Sequence, residues 1–96
     1  MRVQFVKRET GPERLVCEAE VVFEEEGPLR GMKLVGFSLW RSPEGEVFVT
    51  FPSRSFGVGS ERKYFDFLRS AEGLMSDAKR VKAWILEEFR ASSLAA

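Results

Sequence analysis

Apolar and polar positions alternate along residues 14–24, RLVCEAEVVFE. Leu15, Cys17, Ala19, Val21 and Phe23 fall on one side, and Arg14, Glu18, Glu20 and Glu24 on the other. A period of two marks a half-buried antiparallel strand. Before it, RVQFVK predicts a short first strand and ETGPE the turn that reverses the chain; after it, EEEGPLRG is a polar break containing Gly and Pro. Residues 32–41, MKLVGFSLWR, are apolar on both faces, Val35, Phe37 and Leu39 against Met32, Leu34 and Trp40. That pattern predicts a central strand covered on both sides. SPEG supplies Pro and Gly for a type I turn, and EVFVTF returns with Val47, Val49 and Phe51 alternating against Phe48 and Thr50.

FPSRSFGVGSE, residues 51–61, then reads as a long loop, and RKYFDFLR resumes extended structure with Phe65 and Phe67 alternating against Tyr64 and Leu68. From Ser76 the period changes. Ala78, Val81, Ile85 and Phe89 stand three and four residues apart, one apolar stripe of a helix of about fifteen residues. Ser76 is placed to cap it, Asp77 in the first turn suits the helix dipole, and Leu74 is placed to pack just before it. The expectation is a single α+β domain over residues 1–96: a four- to five-stranded antiparallel sheet followed by one C-terminal helix on one face, with a frayed tail over 91–96. The second sheet face, with Trp40, Phe48 and Tyr64, then needs cover or a use.

The composition narrows the chemistry. At 96 residues, 44% of them hydrophobic and nine of them Phe, the chain supports a packed core, though a small one that a partner subunit would help. Fifteen basic side chains cancel fifteen acidic ones, so no overall basic excess points to nucleic acid. Residues 1–52 carry seven basic and nine acidic groups, a net −2; residues 53–96 carry eight and six, a net +2. There is no histidine, and Cys17 is the single cysteine, which removes multi-cysteine zinc sites, intrachain disulfides and most general-base chemistry. Facing the core with no basic neighbour on its face, Cys17 reads as a small hydrophobe. Glu24 to Glu26 read as a solvated strand end, because consecutive carboxylates in extended chain do not converge on a cation. No metal, cofactor or small-molecule substrate is expected. MRVQFVKRE lacks the apolar core of a signal peptide and no apolar run reaches about 20 residues, so a cytoplasmic protein with no membrane partner is expected.

Catalysis finds little support. Ser53 and Ser55 have no histidine to activate them, a serine–lysine pair would need a desolvated Lys63, and Asp66 with Glu61 or Glu72 has no spacing that makes a carboxylate pair. The Gly57-Val58-Gly59 run is too short for a dinucleotide fingerprint and has no following Lys-Ser or Lys-Thr; with Pro52 and Ser53, the two glycines shape the loop.

One combination remains: GEVFVTFPSRS, a Gly-containing loop, the arginine-aromatic segment ERKYFDFLR, and the closing helix SDAKRVKAWILEEF. It resembles the stage V sporulation protein G family of small bacterial septation and gene-expression regulators. The matching residues are Phe48, Pro52, Ser53 and Arg54, then Gly59 and Glu61, then Glu88 and Phe89, with Phe51 where the family has Met. The resemblance covers about residues 14–90. It implies a homodimeric, mainly antiparallel β domain with a C-terminal helix that binds DNA or RNA and has no catalytic activity. Carried over singly, it points to Arg54 as the motif arginine and to Lys79 as a basic helix position.

The residues themselves supply further candidates. Arg54, Arg62, Lys63 and Arg69 flank or follow the loop, and Lys79, Arg80, Lys82 and Arg90 decorate the helix, where they could meet phosphates. Arg54 has a structural alternative, pinning the loop through backbone carbonyls, and the others could pair with Asp66, Asp77 or Glu87. Trp40, Phe48 and Tyr64 are candidates for a dimer interface before a base-stacking platform, and Trp84 for a dimer contact or the core edge. The competing function is a protein–protein interaction module of a bacterial regulatory complex.

Overall fold

The computed structural model describes residues 1–92 and residue 94; Ser93, Ala95 and Ala96, part of the tail expected to fray, lie outside the described residues. Four strands, β1 (Arg2–Val6), β2 (Leu15–Val22), β3 (Lys33–Arg41) and β4 (Val47–Thr50), form an antiparallel meander in the order β1-β2-β3-β4. β5 (Ser53–Phe56) and β6 (Lys63–Asp66) form a second, two-stranded sheet, and α1 (Met75–Ala91) closes the chain. The α+β class, the antiparallel sheet and the single C-terminal helix agree with the sequence pattern.

The helix lies across one face of the meander, packing on β4 and β1. Its Ile85 and Phe89 meet Cys17, Ala19 and Val21 of β2, Phe37 and Leu39 of β3, Val49 of β4 and Phe51 in one core. The Phe89 ring meets Phe5 edge to face at 5.6 Å. Ala78 and Val81 are half-buried beside it, so the apolar stripe is the buried face. Leu94, in the tail, also packs against this core. Burial pushes the Cys17 thiol up, with the Glu18 carboxylate adding to the shift; the cysteine is an inert core residue. No helix among the described residues is long and apolar enough to cross a membrane.

β3 departs from the predicted pattern. Phe37 pairs with Ala19 but Leu34 with Val21, so β3 spends one more residue than β2 over that interval, a β-bulge at Val35-Gly36. The bulge resets the alternation. Leu34 joins Phe37 and Leu39 on the helix side, while Val35, expected with them, is exposed. Gly36 takes φ +104°, and a Cβ there would lie 2.8 Å from the Cβ of Pro52. Nor is β3 covered on both sides. The face away from the helix is open, and its β1–β2 half is made polar by Lys33–Glu20 at 3.0 Å, Arg8–Glu18 at 2.9 Å and Gln4 donating to Glu20 at 2.8 Å.

The helix entrance also differs from expectation. Ser76 lies inside the helix, and Leu74 precedes it without capping it by a side chain. Ser70 supplies the missing acceptor: its Oγ accepts the Leu74 N–H at 3.0 Å and the Glu72 N–H at 3.3 Å, and donates to Asp77 Oδ2 at 2.6 Å. The Ser70 hydroxyl, then the Arg80 guanidinium, hold the Asp77 carboxyl below the usual carboxylate range. A carboxylate depressed on folding contributes stability above its unfolded pKa that is lost as pH falls through the folded one. Ser70→Ala should therefore cost about 1 kcal/mol at neutral pH, as for a lost capping hydroxyl. In urea titrations its deficit against wild type should narrow on acidification below the ordinary carboxylate range; a deficit independent of pH would separate Asp77 from Ser70.

Candidate nucleic-acid interface

The segment read as a loop is a hairpin. Ser53 pairs with Asp66, Arg54 with Phe65, Ser55 with Tyr64 and Phe56 with Lys63, and the Phe67 N–H extends the ladder by donating to the Pro52 carbonyl at 2.8 Å. Pro52 is buried against Gly36, which anchors the hairpin base to the bulge of β3. At the tip, Gly57 takes φ +86° where a Cβ would meet the Glu61 carbonyl at 2.8 Å, and Gly59 opens a short 3₁₀ turn, Gly59–Glu61. The loop-shaping residues Pro52, Ser53, Gly57 and Gly59 thus sit at the base, the first rung and the tip.

Period two sorts the hairpin into unlike faces. Ser53, Ser55, Tyr64 and Asp66 make one. Arg54, Phe56, Lys63 and Phe65 make the other, continued by Phe67. The second is a cation-aromatic surface: the Arg54 guanidinium lies over the Phe56 ring at 4.9 Å, and Phe56 meets Phe65 edge to face at 5.4 Å. Among the described residues no backbone carbonyl accepts a hydrogen bond from the Arg54 side chain, so the pinning alternative finds no partner there. An open cleft of about 460 Å³ follows this face, lined by Arg54, Phe56, Phe65, Asp66, Phe67 and Arg69. Every residue of β5 and β6 is exposed, with Phe65 at 47% and Phe67 at 63%.

The chain's neutrality is local. Among the described residues, ion pairs engage Arg2, Arg8, Arg30 and Lys33 in the N-terminal sheet and Arg80 with Asp77 on the helix. None of these pairs includes Arg54, Arg62, Lys63 or Arg69. Residues 53–69 carry these four cations against two carboxylates, Glu61 and Asp66, a local excess of two that whole-chain charge conceals.

The helix candidates divide. Lys79 is exposed, Arg80 is tied to Asp77 at 3.0 Å, and the Lys82 ammonium covers the Phe51 ring at 5.2 Å, at the edge of the core. Arg69 connects the two regions, because it also lines a second cleft of about 230 Å³ with Phe51, Ala78 and Arg80. Of the aromatic candidates, Trp40 and Phe48 are direct cross-strand partners on the open face, with the Trp40 indole N–H donated to Thr50 Oγ1 at 2.9 Å. Tyr64 does not join them; it belongs to the hairpin. Trp84 is half-buried against the core.

Phe56 and Arg69 complete the surface; Arg69 was among the candidate cations of the sequence, whereas Phe56 had no place in a site. The signal for Phe56 was slight, one apolar residue alternating with Ser53, Arg54 and Ser55, and only its pairing with the strand from Lys63 reveals its face. The geometry suits binding of an anionic, flat-ringed ligand: Arg54 and Arg69 beside exposed aromatic rings along one open cleft. The chain matches no family model, no curated protein and no solved structure.

Proposed function

We propose that this chain is a small, non-enzymatic regulatory protein that binds DNA or RNA as a dimer, the role implied by its resemblance to the stage V sporulation protein G family. The observation that carries the reading is the hairpin surface, where Arg54, Lys63 and Arg69, in no ion pair among the described residues, stand with Phe56, Phe65 and Phe67. A similar-sized cleft near Arg14 and Arg41 carries two arginines but no aromatic ring, so cations and rings coincide at the hairpin. Supporting a dimer, β4 ends the meander with a free edge, and Trp40 and Phe48 lie on the neighbouring open corner; two-fold pairing of such edges would cover both.

Fluorescence anisotropy with labelled random-sequence DNA and RNA, single-stranded and duplex, at two salt concentrations tests the proposal. Binding should weaken with salt, because phosphate contacts release counterions, and Arg54→Ala should reduce the logarithmic salt slope by about one. Failure to bind all four would refute it. The corner of exposed Phe48 and half-buried Trp40 would then favour the competing reading, a protein-interaction module.

A further inference from the structure

The hairpin face also discriminates between paired and unpaired nucleic acid. Resting on the nucleic-acid reading above, we infer that its ligand is a single strand whose unpaired bases stack on Phe65 and Phe67 while Arg54, Lys63 and Arg69 meet the phosphates. Phe67 directly follows β6, its N–H still bonded to the Pro52 carbonyl across the hairpin, so near-extended chain sets it about 6.8 Å from Phe65, and both rings line the same cleft. Bases stacked in a duplex recur about every 3.4 Å along each strand, with their faces covered by one another. A duplex therefore offers the rings only base edges, sugars and phosphates. A single strand can separate neighbouring bases to the ring spacing and present both faces.

Charge selects the same occupant. Arg54 and Arg69 line the cleft against one carboxylate, Asp66, and Lys63 lies on the same hairpin face, which disfavours an acidic peptide less strictly than it favours a polyanion with flat groups at short intervals. Phe56 is already engaged by Arg54 and Phe65, so it supports the platform. Phe67 is the most exposed of the three rings and the freest to stack. Each base stacked on an aromatic ring contributes about 1–3 kcal/mol by alanine substitution.

The test is anisotropy of labelled oligothymidylate and oligouridylate, about 15 nucleotides long, beside a labelled mixed-sequence duplex of equal length. Wild type should prefer the single strands at least about tenfold, with a salt slope near −2 for three phosphates. Phe67→Ala should weaken single-strand binding by about 5- to 150-fold, the stacking term converted to an affinity ratio, and leave any duplex binding unchanged. Phe67→Trp should restore affinity and its fluorescence should be quenched as bases stack. Equal binding of duplex and single strand with no effect of Phe67→Ala would overturn the inference while leaving nucleic-acid binding intact. Loss of binding to all probes would remove both, and if Phe67→Ala also converted a dimer to a monomer, the face would belong to a second copy of the chain.

Discussion

Replacing Phe37 by alanine will lower the unfolding free energy by about 4 kcal/mol. The ring is fully buried in β3, edge to face with Phe51 at 5.5 Å. Its cross-strand neighbour is Ala19, too small to move into the space. Collapse would have to come from Phe51, itself held between Phe37 and the Lys82 ammonium, or from Ile85 or Phe89, whose approach would compress the contact between Phe5 and Phe89. The cavity should persist, which places the substitution at the costly end of its class. A domain of this length has a stability of about 5–14 kcal/mol, so the loss is a large part of the total. Urea unfolding should show a lowered midpoint at unchanged slope. A loss under about 2 kcal/mol would mean that the core repacks and that Ala19 is not the constraint.

What the sequence made legible were elements whose period was uninterrupted. RLVCEAEVVFE alternates strictly from Cys17 to Val21 and became the centre of β2, the pattern slipping at Val16, where the register shifts between Leu15 and Cys17; Ala78, Val81, Ile85 and Phe89 keep helical spacing and became the packed stripe of α1. Two kinds of feature escaped. A bulge adds a residue without changing composition, so the inserted position at Val35-Gly36 was invisible until β2 fixed the register, and the faces of Leu34 and Val35 were exchanged. A strand exposed on both faces has no hydrophobic alternation to announce it, so Ser53–Phe56 read as a loop. Arg54 was nonetheless singled out as a candidate, because the resemblance placed it in a motif. Its ring partner Phe56 was not, because their contact exists only once β5 is extended and pairs with β6. The helix cap was missed for a related reason: Ser70 reaches Leu74 and Asp77 from a turn outside the helix, beyond the window in which a capping residue is sought.

Gly36→Ala should cost about 3 kcal/mol through two separable effects, and it should reach the hairpin. The first is backbone strain, since φ +104° is a region that residues with a side chain avoid. The second is steric, the new Cβ falling 2.8 Å from the Cβ of Pro52. A double-mutant cycle separates them. In a Pro52→Gly background the collision disappears and the strain remains, so Gly36→Ala should be cheaper there by about 1 kcal/mol or more. Additive effects would show that Pro52 yields freely and that strain alone is at work. Coupling has a consequence for binding, because the Pro52 carbonyl accepts the Phe67 N–H and so holds the first ring of the cleft. If Pro52 is displaced, Phe67 shifts with it. Under conditions where the variant remains folded, Gly36→Ala should therefore weaken single-strand binding although residue 36 is not among the cleft's lining residues, and Pro52→Gly in the same chain should not restore it, since the anchor itself is then loosened. Unchanged affinity in a folded Gly36→Ala variant would mean that the hairpin positions its aromatic face without the bulge.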